Sequence, residues 1–331
     1  MAHATPPSPR PSAASQAACR LAPPPRPAHP GPIHACVFAR NEAAHLPTAV
    51  ASLLDDPAAP RIASVHLMVN GCTDDTPAVA ARLATNDSRV VAHELPIGDK
   101  CNAWNAYLHD VTPALAADGD DATHLYMDGD VRCGPAAVQG LTDRLVEAPH
   151  ADACAGLPLS GRNRDAMAKL VTYRRWLFGN LYAVRGTHVA RLRDAGFRLP
   201  LGLMGNDHLI TRAVKTRLPD AADVDHDRLT WAEGIGYAFD SLNPWKLADA
   251  RLYRRRQVTY ALRHEQLTLM GQCPLDRLPR TMDPINRRVL DKLARMTLPP
   301  WDTRVAVRRK LAAMYPDLAA AHYRPMLTRA A

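Results

Sequence analysis

Residues 124–132 read His-Leu-Tyr-Met-Asp-Gly-Asp-Val-Arg, and they limit the possible folds more than any other stretch of the chain. An apolar, aromatic-containing run that stops abruptly at acid, glycine, acid is the pattern of a buried strand delivering Asp128 and Asp130 to the carboxyl edge of a sheet. That edge is where open α/β sheets bind ligands. Two hard oxygen donors flanking a glycine suit Mg²⁺ or Mn²⁺ held partly by protein and partly by substrate phosphates. The same tripeptide is also an ordinary turn, because Asp and Gly lead among turn residues, so the surrounding segments decide between the two.

Those segments alternate between strand and helix. Residues 1–32 hold ten of the chain's 29 prolines and no acid; such a composition buries too little to offset chain entropy, and a disordered leader is expected. Order should begin with a strand over Ile33–Ala39, followed by Arg40-Asn41-Glu42 and by Leu46, Val50, Leu53 and Leu54 at helical spacing. A second strand at 65–69 runs into Asn70-Gly71-Cys72-Thr73-Asp74-Asp75-Thr76-Pro77. There Thr76 is the expected N-cap and Pro77 the first residue of a helix reaching Ala84. A third strand at 90–94 leads through Gly98-Asp99-Lys100 into a helix carrying Trp104, Leu108 and Val111, and 124–127 forms the fourth. The order predicts an α/β fold with a doubly wound, mostly parallel sheet flanked by helices.

The second half is more helical. The pattern predicts a helix to Glu147, a strand at 152–157, a helix at 165–178, and a strand at 181–184 leading into Arg185-Gly186-Thr187. A further helix opens at Gly205-Asn206-Asp207-His208 with Leu209, Ile210, Ala213 and Val214 on its buried side. A long basic helix from Trp245 to Leu269 carries Arg251, Arg254, Arg255 and Arg256, and helices at 284–297 and 302–315 close the chain around Leu298-Pro299-Pro300. Asp223, Asp225, His226 and Asp227 lack the Gly and Glu of a calcium loop and are expected to be a solvated turn.

Charge follows the same division. Residues 33–250 carry 21 basic and 27 acidic side chains, whereas residues 251–331 carry 17 and 6. The expected organisation is a leader at 1–32, an acidic body at 33–245 and a basic helical extension at 246–331. A basic tail of this kind can meet an anionic membrane face or a phosphorylated acceptor; solvated helix faces explain it equally well. Seven scattered cysteines with no Cys-x-x-Cys pair indicate neither a disulfide framework nor structural zinc, and fit a cytoplasmic setting. The glycine-rich signatures of dinucleotide dehydrogenases and P-loop enzymes are missing after every predicted strand, as are His-Glu-x-x-His and Gly-x-Ser-x-Gly.

In this order the segments resemble family 2 glycosyltransferases with the GT-A fold, over about 33–260. Phe38-Ala39-Arg40-Asn41-Glu42 is similar to the family's opening strand and Asn-Glu, and 70–76 to its Asp-Asp-Gly-Ser-Thr-Asp-Gly-Thr loop. Gly98-Asp99-Lys100 with Asn105 is similar to its Gly-Lys-x-x-Ala-x-Asn, Asp128-Gly129-Asp130 to its Asp-x-Asp, and Asn206-Asp207 to its later acidic pair. Val69 and Asn70 stand where the family carries two acids, so the nucleotide base is not implied. What the resemblance implies is inverting transfer of a sugar from a nucleotide-diphosphate donor to an acceptor hydroxyl, with Mn²⁺ or Mg²⁺ on Asp128 and Asp130. Asp207 would be the catalytic base. Asn41, Glu42, Asn70, Asp74, Lys100, Asp128 and Arg185 would bind the donor nucleotide. The partners would be that donor and an acceptor of unspecified kind, glycan, lipid-linked or small, with no nucleic acid.

Several of these residues have simpler readings: Asp207 as a helix cap, Lys100 as a solvated lysine, Asp74 and Asn70 as turn formers, Arg185 as a surface arginine. Two rival functions also stand at this point, a sugar-phosphate nucleotidyltransferase and a non-catalytic nucleotide- or glycan-binding protein.

Overall fold

The computed structural model describes residues 31–119, 121–216, 218, 224–240, 247–271 and 273–318, with only the backbone of 247–251. Residues 1–30 of the expected leader, Asp223, Trp245, the side chain of Arg251 and the last thirteen residues lie outside this range.

Strand β1 (Ile33–Ala39) is buried along its whole length, and the reason is its two parallel neighbours, β2 (Ile62–Asn70) and β4 (Thr123–Asp128). Strand β3 (Val90–Leu95) adds to β2, also parallel. Beyond β4 the direction reverses. Strand β7 (Leu181–Arg185) runs antiparallel to β4, β6 (Ala153–Pro158) antiparallel to β7, β8 (Leu229–Phe239) parallel to β6, and the three-residue β5 (Val131–Cys133) antiparallel to β8. The result is one mixed sheet in the order β3-β2-β1-β4-β7-β6-β8-β5. Register fixes which ends meet. Met127 pairs with Leu181 and Thr123 with Arg185, so the start of β7, but not its end, lies at the carboxyl edge of the parallel strands.

Alternation along β1 sends side chains into two cores. Ile33, Ala35, Val37 and Ala39 pack with Leu46, Val50 and Leu53 of α1 (Leu46–Leu54) and with Val138 and Leu141 of α4 (Ala137–Glu147). Val79 and Ala80 of α2 (Thr76–Asn86) complete that layer. Cys36 and Phe38 face the other core, which holds Trp104 of α3 (Lys100–Ala106), Val189 of α6 (Gly186–Asp194) and Leu209 of α7 (Asp207–Thr216). The same core takes in Leu262 of α8 (Leu247–Met270), Val289 of α9 (Asp283–Ala294) and Val307 of α10 (Thr303–Met314). The C-terminal helices therefore share a continuous core with the sheet. Each fully buried leucine, isoleucine or valine there contributes about 1.5–3 kcal/mol. Tyr126 stacks on Tyr182 at 4.8 Å between ring centres, and Trp104 Nε1 donates to the Tyr182 hydroxyl at 3.1 Å, which gives the buried indole N–H its partner.

Local chemistry adjusts the predicted boundaries. Helix α2 starts at Thr76, not after it, with Asp75 at the cap. The Thr76 hydroxyl donates to Asp74 at 2.6 Å and accepts the Glu42 backbone N–H at 2.8 Å, tying the loops after β1 and β2 together. Helix α5 (Arg164–Arg174) ends where Arg175 takes a left-handed φ of 51°, four residues short of the expected end. Strands β5 and β8 have no counterpart among the predicted elements.

Candidate active site

The carboxyl ends of β1, β2 and β4 open onto a cavity of about 240 Å³ lined by Phe38, Arg40, Glu42, Asn70, Lys100, Asp128, Gly129 and Asp130. Its walls follow from backbone demands. Gly71 holds a φ of +54°, and a Cβ there would lie 2.3 Å from the Gly98 backbone nitrogen, so only glycine lets the loops after β2 and β3 meet. Asn41 also adopts positive φ, at 58°, and its Oδ1 accepts the Thr73 N–H at 2.8 Å. Gly129 donates its N–H to the Phe38 carbonyl at 2.8 Å, turning Asp130 back over the edge of the sheet.

Three carboxylates meet on this floor. Burial pushes the Asp128 carboxyl above its ordinary range, the Lys100 charge opposes the shift, and Asp130 and Asp207 add to it. Glu42 is raised too, by burial first and then by Asp130, against the pull of His45. Lys100 stands at the first residue of α3, whose cap Asp99 accepts the Cys101 N–H at 2.6 Å and the Asn102 N–H at 3.2 Å. From there its ammonium forms an ion pair with Asp128, donates to the Gly179 carbonyl at 3.2 Å and lies 5.3 Å from the centre of the Phe38 ring.

Asn70 is almost wholly buried. Its Nδ2 donates to the carbonyls of Ala39 (3.0 Å) and Met68 (3.2 Å), which fixes the amide and leaves Oδ1 without a protein partner among the described residues. Such an oxygen is an acceptor waiting for a ligand N–H or O–H.

Asn180, the residue before β7, accepts the Asp128 backbone N–H at 3.1 Å, and its Oδ1 accepts the Tyr237 hydroxyl at 3.2 Å. Burial raises the Tyr237 hydroxyl, and both Asp128 and Asp207 raise it further. Asp207 opens α7 and is 6% exposed; its Oδ1 accepts the His208 N–H at 3.0 Å and Arg263 Nη2 at 2.7 Å. Gly179 closes the gap: a Cβ there would lie 3.1 Å from Lys100 Nζ and 3.8 Å from Asn206 Oδ1.

The residues expected to act together are therefore gathered unevenly. Glu42, Asn70, Lys100, Asp128 and Asp130 line one cavity, and Asp207 is coupled to it electrostatically. Asn41 and Asp74 brace the rim: Asp74 is exposed, and Thr76 holds its carboxyl below the usual range. Arg185 is not brought here. Antiparallel β7 carries it to the opposite edge, where its guanidinium donates to the carbonyls of Ala151 (2.7 Å), Ala148 (3.2 Å) and Leu145, at and just beyond the end of α4. That is the usual place for a cation at a helix C-terminus. Arg254, Arg255 and Arg256 are exposed on α8, and Arg263, seven residues past Arg256, is the one that reaches Asp207. Arg40, Tyr237 and Arg263 were not among the expected site residues. Arg40 adjoins Asn41 in sequence and was within reach of the same pattern; Arg263 carries no local signal.

Among the described residues no set of three or more His, Cys, Asp or Glu side chains is spaced to enclose a metal ion. The floor nevertheless fits a divalent cation in the manner of Mg²⁺ or Mn²⁺, with two protein carboxylates and the remaining oxygens from substrate and water, because mutual repulsion among Glu42, Asp128 and Asp130 is what such a charge relieves.

The site agrees with what the chain is similar to. The model of the glycosyl transferase family 2 matches residues 35–197. Among solved structures, the mannosyltransferase PcManGT from Pyrobaculum calidifontis aligns over 90% of this chain and 85% of its own, at 14% identity and a TM-score of 0.56. Glucosyl-3-phosphoglycerate synthase from Mycobacterium tuberculosis aligns over 70% of this chain and 79% of its own, at 19% identity and a TM-score of 0.46. No curated protein sequence matches the chain. With most of β1, all of β2, β3 and β4 and the Asp-Gly-Asp turn inside the matched span, the chain belongs to glycosyl transferase family 2 and is a glycosyltransferase of the GT-A fold.

Proposed function

We propose that the chain transfers a sugar with inversion from a nucleotide-diphosphate donor to an acceptor hydroxyl, with Asp207 as the base. One observation carries this reading: Lys100, ion-paired with Asp128 at the end of β4, and Asn206, the neighbour of Asp207 at the start of α7, both lie against Gly179, which supports a site shared by the two acids. Inversion needs a single carboxylate to take the acceptor proton and no covalent sugar intermediate. Asn70 Oδ1 and Glu42 accept donors from the base and ribose, with Asn41 and Asp74 holding that rim. Lys100 moves from Asp128 to the diphosphate as a mobile point charge. Bound to Asp128 and Asp130, Mn²⁺ or Mg²⁺ would neutralise charge gathering on the departing diphosphate.

The catalytic body spans 33–245 in this reading, and the basic extension at 246–331 shapes the acceptor side. No helix among the described residues is long and apolar enough to cross a membrane. The exposed stretch Leu252, Tyr253, Arg254, Arg255, Arg256 and Tyr260 suits peripheral contact with an anionic lipid face; co-sedimentation with vesicles containing phosphatidylserine checks that contact.

The mannosyltransferase of similar fold was solved with GDP-Man and Mn²⁺, which sets the first donor to try. The test is release of nucleoside diphosphate from a panel of UDP-, GDP-, dTDP- and ADP-sugars with Mn²⁺. Release supports transfer. Pyrophosphate formed from a nucleoside triphosphate and a sugar phosphate would support a nucleotidyltransferase instead, and tight nucleotide binding without turnover would support a binding protein.

A further inference from the structure

We propose that Arg263 of α8 is a positioning residue for Asp207, so that a helix outside the family-matched span completes the catalytic site. This rests on the reading of Asp207 as base. Arg263 Nη2 donates to Asp207 Oδ1 at 2.7 Å, and the other hydrogen bond to that carboxylate, from the His208 N–H at 3.0 Å, also falls on Oδ1. Among the described residues Oδ2 accepts none. A carboxylate with one oxygen held twice and the other left open cannot swing, and it presents one defined lone-pair set to an incoming hydroxyl. Oδ2 is then the atom that takes the proton. The acceptor O–H bond breaks as Oδ2–H forms, the acceptor oxygen bonds to the anomeric carbon, and the nucleoside diphosphate leaves with the electron pair of the bond it gives up.

The fold makes room for this contact. Gly205 holds a φ of +92°, and a Cβ there would lie 2.3 Å from Arg263 Nε, so the guanidinium crosses a place only glycine leaves empty. One turn further along α8 the buried Gln266 locks the helix to the same loop. Its Oε1 accepts the Met204 N–H at 2.9 Å, and its Nε2 donates to the Gly202 carbonyl at 3.3 Å and to Asn286 Oδ1 at 2.8 Å. The loop is held from the donor side as well, since Gly202 donates its N–H to Asp99 Oδ2 at 2.6 Å, and Asp99 is the cap of the helix that starts with Lys100. Arg263 is thus aimed by fixed neighbours on two sides. Among the described residues the exposed arginines at 254–256 have no such arrangement.

The experiment uses the full chain with the sugar donor that the panel selects and Mn²⁺. Arg263→Ala is expected to lower kcat roughly ten- to a hundred-fold while leaving donor KM and nucleotide binding within about two-fold. Arg263→Lys, which keeps the charge but loses the fork, recovers part of that loss. In an Asp207→Asn background Arg263→Ala should change the residual turnover no further, because its partner carboxylate is already gone. A purely structural arginine would lower thermal stability, leave kcat per folded molecule unchanged, and act equally in both backgrounds; either result overturns the proposal. Should Arg263→Ala fail to fold, Arg263→Gln is read in the same way. A natural chain that releases no nucleoside diphosphate from any donor, or an Asp207→Asn chain that keeps full turnover, refutes the underlying reading instead.

Discussion

Replacing Lys100 with methionine removes one charge and keeps most of the stem, and the structure fixes what should follow. The ammonium holds Asp128 and the Gly179 carbonyl. The two side chains of the pair are 31% and 24% exposed, so water screens part of their attraction. Exposed pairs contribute about 0–1 kcal/mol and breaking a buried one costs about 3–5 kcal/mol; with this screening the loss should be about 1–2 kcal/mol. A double-mutant cycle with Asp128→Asn, read by urea unfolding near neutral pH without metal, isolates the term. Lys100 is also the main force holding the Asp128 carboxyl down against burial. Without it the carboxyl rises further, and Mn²⁺ binding fails at a higher pH on acidification than in the natural chain. Mn²⁺ alone should bind Lys100→Met more tightly near neutral pH, where the ammonium no longer competes for Asp128, whereas nucleoside diphosphate should bind it more weakly. A coupling energy below about 0.3 kcal/mol, or diphosphate binding unchanged, would refute this reasoning.

Two further outcomes follow from other parts of the fold. Arg185→Ala should cost about 2–3 kcal/mol by urea unfolding, since it strips charge-assisted bonds from the carbonyls around the end of α4, and should leave nucleotide binding unchanged. Four histidines lie on adjacent strands β1 to β4. His34 Nδ1 and His66 Nε2 both contact Ser64 Oγ at 2.8 Å, His66 contacts His93 at 3.0 Å, and His124 contacts the Tyr107 hydroxyl at 2.9 Å. Burial lowers His66 to about 4 and His124 to about 3. Because the folded values lie below the ordinary 6.5, the unfolded chain binds protons first. Stability is complete above that value and falls as pH drops toward the folded ones, by up to about 1.4 kcal/mol per pH unit for each histidine. Urea unfolding across this window should show a flatter slope for His66→Gln, and an unchanged slope would contradict the assignment.

The first half of the fold was legible because β1 and β4, and β2 from Val65 on, are buried on both faces and read as largely apolar runs, while the half-exposed edge strand β3 is marked by its Val90-Val91-Ala92 start. Strand β1 was bounded to the residue. Strand β8 was hidden because Leu229–Phe239 contains Gly234 and Gly236, exposes its middle and shifts register against Leu157. Gly236 is required there, since a Cβ would lie 1.7 Å from the Leu157 carbonyl oxygen, yet to a sequence it looks like a loop. Arg185 was placed on the wrong edge for a physical reason: an apolar run does not reveal its direction, and reversing β7 moves its last residue to the far side of the sheet. The ion pair of Arg263 with Asp207 spans 56 positions and depends on a helix docking onto a loop, which no local spacing encodes.

The most direct test of the central claim is turnover by Asp207→Asn beside nucleoside diphosphate binding by the same variant. Nucleotide and Mn²⁺ should bind as in the natural chain, since Asp128, Asp130, Asn70 and Lys100 are intact, while sugar transfer falls by roughly a thousand-fold or more. Transfer at the natural rate would show that the proton goes elsewhere and would remove Asp207 from the chemistry.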